Sequence, residues 1–143
     1  MQDLNTEEAW VLMMNQNFKL IKASCISHGG ITETAVDIRL LIKEAVLNNA
    51  TIIAFCHNHP SNSPLPSKAD DLLTLQIQKA CEIMRIFFMD HVIITDGPFI
   101  PITIKANYRL FPVLLSRHEE KSVFSFCIVP ILQYLCRQKQ RLL

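Results

Sequence analysis

Residues 51–84 read TIIAFCHNHPSNSPLPSKADDLLTLQIQKACEIM. Three elements follow one another in this stretch. Thr51 to Cys56 is short, apolar and β-branched, the composition of a buried strand. His57 to Pro66 carries three prolines and two asparagines, which predicts a loop. Ser67 to Met84 has helical periodicity, with Leu73, Ile77, Cys81 and Met84 on one face. A strand delivering two histidines into a loop, followed at once by a helix, decides both the fold and the chemistry.

Outward from this centre the pattern continues. Asp37 to Asn49 reads as a helix, with Leu41, Ala45 and Val46 at helical spacing and Asp37 placed to cap its start. Ala9 to Asn15 is an apolar run, Asn15-Gln16-Asn17 a turn, and Phe18 to Ser27 a loosely alternating segment that ends at Gly29-Gly30. These predict a two-strand hairpin. Asp90 to Thr95 is a second buried strand, stopped by Asp96-Gly97-Pro98, and Phe99 to Ile104 predicts one more. The order strand-strand-helix-strand-loop-helix-strand-strand implies one α/β layered domain.

The whole chain bounds the function. It has 143 residues, half of them hydrophobic and 19% charged, as expected of a globular domain. Fourteen Lys and Arg against thirteen Asp and Glu give a net charge of +1, no electrostatic footprint for nucleic acid. The five cysteines (Cys25, Cys56, Cys81, Cys127, Cys136) form neither a disulfide framework nor a CxxC pair. They predict reduced thiols in a cytoplasmic protein. The N-terminus lacks the basic and apolar regions of a signal peptide. Val123 to Cys136 is greasy but only 14 residues long and broken by Pro130, so no membrane span is expected. After Tyr108 come a charged patch (Arg117 to Lys121), that greasy stretch, and a basic end.

His57 and His59 are two residues apart, so in extended backbone they face the same way. Asp70 lies eleven residues beyond His59, in the first turn of the next helix. Two imidazoles and one carboxylate are the ligand set of a catalytic zinc site with one open position. The same Asp70 also reads as the third helical residue of a capping box begun by Ser67, and these two uses of its carboxylate compete. His91 on its apolar strand reads as a core histidine or one placed behind a ligand. His28 reads as lining a cleft or simply exposed. Asp71 and Asp90 read as surface or capping residues, or as acceptors behind a ligand histidine.

The joint pattern His57-x-His59, seven residues, Ser67-x-x-Asp70 resembles the JAMM (MPN+) metalloprotease signature. The fuller string HNHPSNSPLPSKAD is similar to the version in the RadC family, with Pro60, Ser61, Pro66, Ser67 and Asp70 in place. GGITETAVDIRLLIKEAVLNNA from Gly29, DHVIITDG from Asp90, and Glu7-Glu8-Ala9-Trp10-Val11-Leu12 resemble further RadC segments. Two positions depart from the pattern: Asn62 stands where glycine is usual and Ala9 where an aromatic is usual.

This resemblance implies an α+β layered JAB/MPN-like domain over residues 1–107, with a mixed sheet flanked by helices (cytidine deaminase-like), and a C-terminal extension over 108–143. It implies Zn2+ held by His57, His59 and Asp70, Glu7 (or its neighbour Glu8) as general base and acid, and Ser67 as hydrogen-bond donor to an oxyanion. The expected substrate is a protein or peptide cleaved at an amide or isopeptide bond. A DNA-repair accessory role and a non-catalytic binding scaffold are the competing readings. No helix-hairpin-helix module precedes Glu7, so DNA is the weaker expectation.

Overall fold

The computed structural model describes residues 5–29, 36–95, 100–102 and 130. Among these residues five strands and two helices follow one another: β1 (Glu8–Met14), β2 (Leu20–His28), α1 (Ile38–Leu47), β3 (Ile52–Asn58), α2 (Lys68–Met84), β4 (Phe87–Ile94) and β5 (Ile100–Ile102). The strands form one mixed sheet in the order β2-β1-β3-β4-β5. Only β3 and β4 run parallel, because α2 carries the chain back along the sheet between them. This is the α+β layered fold expected from the sequence.

The hairpin β1–β2 is antiparallel, with Val11 opposite Ser24. Asn15 makes its turn by accepting the backbone N–H groups of Asn17 and Lys19 on its side-chain oxygen, at 2.9 and 3.1 Å. Phe18 then takes φ 57°, so it belongs to the turn and not to the strand the sequence suggests. β1 is inserted beside β3, with Ala9 opposite His57, so the chain's first strand borders the histidine strand directly.

Each face of the sheet has its own core. Leu12, Met14, Ile52, Ala54, Cys56, Val92 and Ile94 pack on one side. Ala9, Val11, Met13, Ile53 and Phe55 face the other, where Leu41 and Ala45 of α1 and Ile77 and Cys81 of α2 cover them. The period-two alternation of β1 and β3 thus feeds both layers. Val46 and Met84, placed on the buried helix faces by periodicity, are nearly half exposed. The buried stripe of α2 is instead Asp70, Thr74, Ile77 and Cys81. Its first two residues are polar because they face buried histidines, a tertiary requirement that apolar periodicity cannot register.

β3 extends to Asn58, two residues into the expected loop, and β4 begins at Phe87, three residues ahead of Asp90. The added residues are paired: Asn58 with Ile94, Phe87 with Ile52. Asn62 has φ 60°, so asparagine takes the left-handed conformation at the position where the resembled pattern has glycine. Residues 30–35, the stop at 96–98, Cys127, Cys136, the proposed boundary at 107–108 and the extension apart from Pro130 lie outside the described residues.

Candidate metal centre

The C-terminal end of β3 and the first turn of α2 meet at one point. His57, His59, Asp70 and Glu7 each bring a donor atom, all within 4.8 Å of one another. His57 Nε2 lies 2.8 Å from His59 Nε2 and 3.2 Å from Asp70 Oδ1, and His59 Nε2 lies 3.5 Å from Asp70 Oδ2. Glu7 Oε1 is 3.8 Å from His57 Nε2. Donors on a tetrahedral zinc, with bonds of about 2.0–2.2 Å, stand roughly 3.3–3.6 Å apart, so small side-chain adjustments suffice.

Each donor is held from behind. His59 Nδ1 sits 2.8 Å from the Ser63 carbonyl, which can only accept. Nδ1 therefore carries the proton and a neutral His59 presents Nε2 as a bare lone pair. Asp70 Oδ2 accepts from the Ser67 backbone N–H at 2.7 Å, and Asp70's own N–H donates to Ser67 Oγ at 3.1 Å. The capping box therefore forms, and its carboxylate reaches both imidazoles as well. The expected competition for Asp70 does not arise: the cap holds the carboxylate in the direction the histidines need.

The electrostatics match. Burial by itself raises the Asp70 carboxyl, but the hydrogen bonds that His57 and His59 make to it when they carry a proton on Nε2, with that of the Ser67 backbone, outweigh it and hold the group far below the usual carboxylate range. The hydrogen bond to Asp70 raises His59, against the opposing effect of burial. His91 is buried, and burial with the neighbouring His57 lowers it to about 3, so it is neutral. Burial pushes Asp90 up to about 7, while its Oδ1 accepts from the His91 backbone N–H at 2.7 Å.

Neighbouring glutamates point to opposite sides. Glu7 faces the histidines, whereas Glu8 Oε2 accepts from Trp10 Nε1 at 2.9 Å and its Oε1 lies 3.4 Å from His28 Nδ1. His28, mostly exposed, also places Nε2 3.4 Å from Cys25 Sγ. Glu8, Cys25 and His28 thus form a second group whose donor atoms also lie within 4.8 Å of one another, on the side away from Glu7 and with His28 exposed. Asp71 is exposed, and Asp90 meets the backbone of His91 and not the ring of a candidate ligand.

Two participants escaped the sequence reading. Asn58, between the histidines and nearly fully buried, accepts the Glu8 N–H on Oδ1 at 2.8 Å and donates from Nδ2 to the Thr6 carbonyl at 3.0 Å. It grips the backbone on both sides of Glu7. Its place in the string HNH is the only sequence signal for it. Thr74 is fully buried on α2 and lies 2.6 Å from His91 Nδ1. Its spacing of four from Asp70 was the available clue.

The RadC-like JAB domain family matches residues 1–105 of this chain. The chain belongs to that family. Relatives include a UPF0758 protein of Porphyromonas gingivalis, 44% identical over 94 residues, which covers 66% of this chain and 41% of that protein. Another, from Flavobacterium johnsoniae, is 45% identical over 97 residues, covering 68% of this chain and 42% of that protein. The matched RadC-like JAB region is thus less than half the length of these relatives. Among the described residues no helix is long and apolar enough to cross a membrane.

Proposed function

We propose that this RadC-like JAB domain is a zinc-dependent hydrolase of the JAMM type, cleaving peptide or isopeptide amide bonds. The observation that carries the proposal is the convergence of Glu7, His57, His59 and Asp70 at one partly buried point. His57, His59 and Asp70 are three protein ligands for an ion with an open position. When bound, zinc supplies a Lewis acid that lowers the pKa of a coordinated water to about 7.

The chain's own groups supply the remainder. Glu7 takes the proton of the attacking water and returns it to the leaving amine, with Asn58 fixing the backbone around it. Ser67 Oγ accepts from Asp70 N–H and so uses only a lone pair in the cap. Its O–H proton remains to donate to the oxyanion that develops on the attacked carbonyl. Capping and oxyanion binding are therefore compatible in one hydroxyl. No cysteine or serine nucleophile is needed. Among the described residues Cys25, Cys56 and Cys81 form no disulfide with one another, in keeping with a reducing, cytoplasmic setting.

Two experiments test this reading. Metal analysis of the purified protein should find about one zinc per chain, lost in His57→Ala/His59→Ala. Equal metal in both sinks the metal centre. A peptide-library cleavage assay should show turnover that Glu7→Gln abolishes, and undiminished turnover removes Glu7 as the base.

A further inference from the structure

We propose that Thr74 and His91 are positioning residues that fix the ring of His57 in the one tautomer able to present its Nε2 lone pair to a metal. This inference rests on the metal-centre reading and extends it to residues behind the ligands. The Asp70 backbone carbonyl can only accept, and Thr74 Oγ1 donates its single proton to it. Toward His91 Nδ1, 2.6 Å away, the hydroxyl has only lone pairs left, so His91 Nδ1 carries a hydrogen and donates. His91 is fully buried, and its side-chain partners are Thr74 and His57, neither of them a carboxylate. It is therefore a neutral imidazole with one N–H. That N–H is used on Thr74, so His91 Nε2 is an acceptor. His57 Nδ1, 2.7 Å from it, must donate. A neutral His57 then bears its lone pair on Nε2.

The consequence is specific to the centre. Ser63 sets the tautomer of His59 through one hydrogen bond, and Thr74 with His91 sets that of His57 through three. Both Nε2 atoms are then bare acceptors 2.8 Å apart, beside the Asp70 carboxylate. Acceptors meeting without a donor call for a cation between them. The relay also ties the ring of one ligand to the backbone of another, since it ends on the carbonyl of Asp70. Movement of α2 against β3 and β4 would therefore disturb both ligands together.

The test compares Thr74→Val, which keeps the shape and removes the hydroxyl, with Thr74→Ser, which keeps the hydroxyl. Zinc affinity is read by competition with a chromogenic chelator, beside His91→Phe and His57→Ala/His59→Ala. Thr74→Val and His91→Phe should bind zinc roughly 10–100-fold more weakly than the parent, and Thr74→Ser within about threefold of it. Nitrogen-15 NMR of the unaltered, zinc-loaded protein should show His57 and His91 both protonated on Nδ1. Parent-like affinity in Thr74→Val, or His91 protonated on Nε2, overturns the relay. The NMR readout decides if a variant fails to fold. Parent and His57→Ala/His59→Ala binding zinc alike would instead sink the metal reading, and the ring protonation in the metal-free parent would then judge the relay alone.

Discussion

The two helices of this domain start with similar chemistry and end with different roles. At α1, Asp37 accepts the Arg39 backbone N–H at 2.9 Å and pairs with the Arg39 guanidinium at 2.7 Å on the exposed surface. At α2, Ser67 and Asp70 form a reciprocal capping box, and the Asp70 carboxylate also lies 3.2 Å from His57. Both aspartates satisfy helix N–H groups or the chain entering the helix. Only one of them faces the end of a buried strand that carries histidines. A cap becomes part of a functional centre through what stands opposite it, not through its own geometry.

The sharpest way to break this comparison is to remove the charge and keep the cap. Asp70→Asn retains an oxygen for the Ser67 N–H but loses the negative charge of the proposed ligand. Zinc affinity measured by chelator competition should fall by more than about a hundredfold, beyond the 10–100-fold expected of supporting residues. Asp37→Asn should leave zinc affinity unchanged. A fall of equal size in both would show that helix integrity, not ligation, governs binding.

Asn58→Leu comes next. It strips partners from the buried Glu8 N–H and from the Thr6 carbonyl. Urea unfolding should show a loss of about 2–3 kcal/mol, and any peptidase activity should fall with it. Ser67→Ala removes a cap acceptor and should cost about 1 kcal/mol in the same assay. Asp37→Ala, at a cap without the reciprocal bond of a capping box, should lower the melting temperature less than Ser67→Ala does.

The smallest expected effect is in the pH profile of the metal-free protein. The carboxyls of Asp37 and Asp70 are both lowered in the fold, Asp37 chiefly by its hydrogen bonds to Arg39 and Asp70 by His57, His59 and Ser67 against its burial. A lowered carboxyl adds stability above its unfolded value of about 4 and loses it as pH falls below. Asp70→Asn should therefore flatten the acid limb of a stability-versus-pH curve visibly, and Asp37→Asn barely. His59 is raised, so its contribution has the opposite sign: present below its unfolded value, lost as pH rises through the folded one. The same raised affinity for a proton means that zinc binding should weaken on acidification sooner than a free imidazole would require. An affinity flat down to pH 6 would contradict this.

Much of the molecule was legible before folding. The apolar run TIIAFC, the proline-rich loop and the helix from Ser67 follow from composition and periodicity, and the spacing of His57, His59 and Asp70 pointed to one centre. The hairpin and α1 were equally plain, because Asn15 and Asp37 mark their turn and cap with side chains that bond the local backbone. Less legible was which residues stand behind His57 and Glu7. His91 reads as core or support, and nothing in the local pattern singles out Thr74 or Asn58. Each works through partners 17 to 52 residues away in sequence, which no local pattern records.

By itself, the sequence determined the elements and the residue types of the candidate site, since these depend on side-chain volume, backbone preference and the chemistry of short spacings. The tertiary structure alone decided direction. Insertion of β1 beside β3 turns Glu7 and not Glu8 toward His57. The parallel pairing of β4 with β3 brings His91 behind His57, and the first turns of α2 bring Asp70 in front of it and Thr74 against His91. Direction belongs to the assembled sheet and helix because a hydrogen bond is fixed by where both partners point, and the two partners here come from different elements.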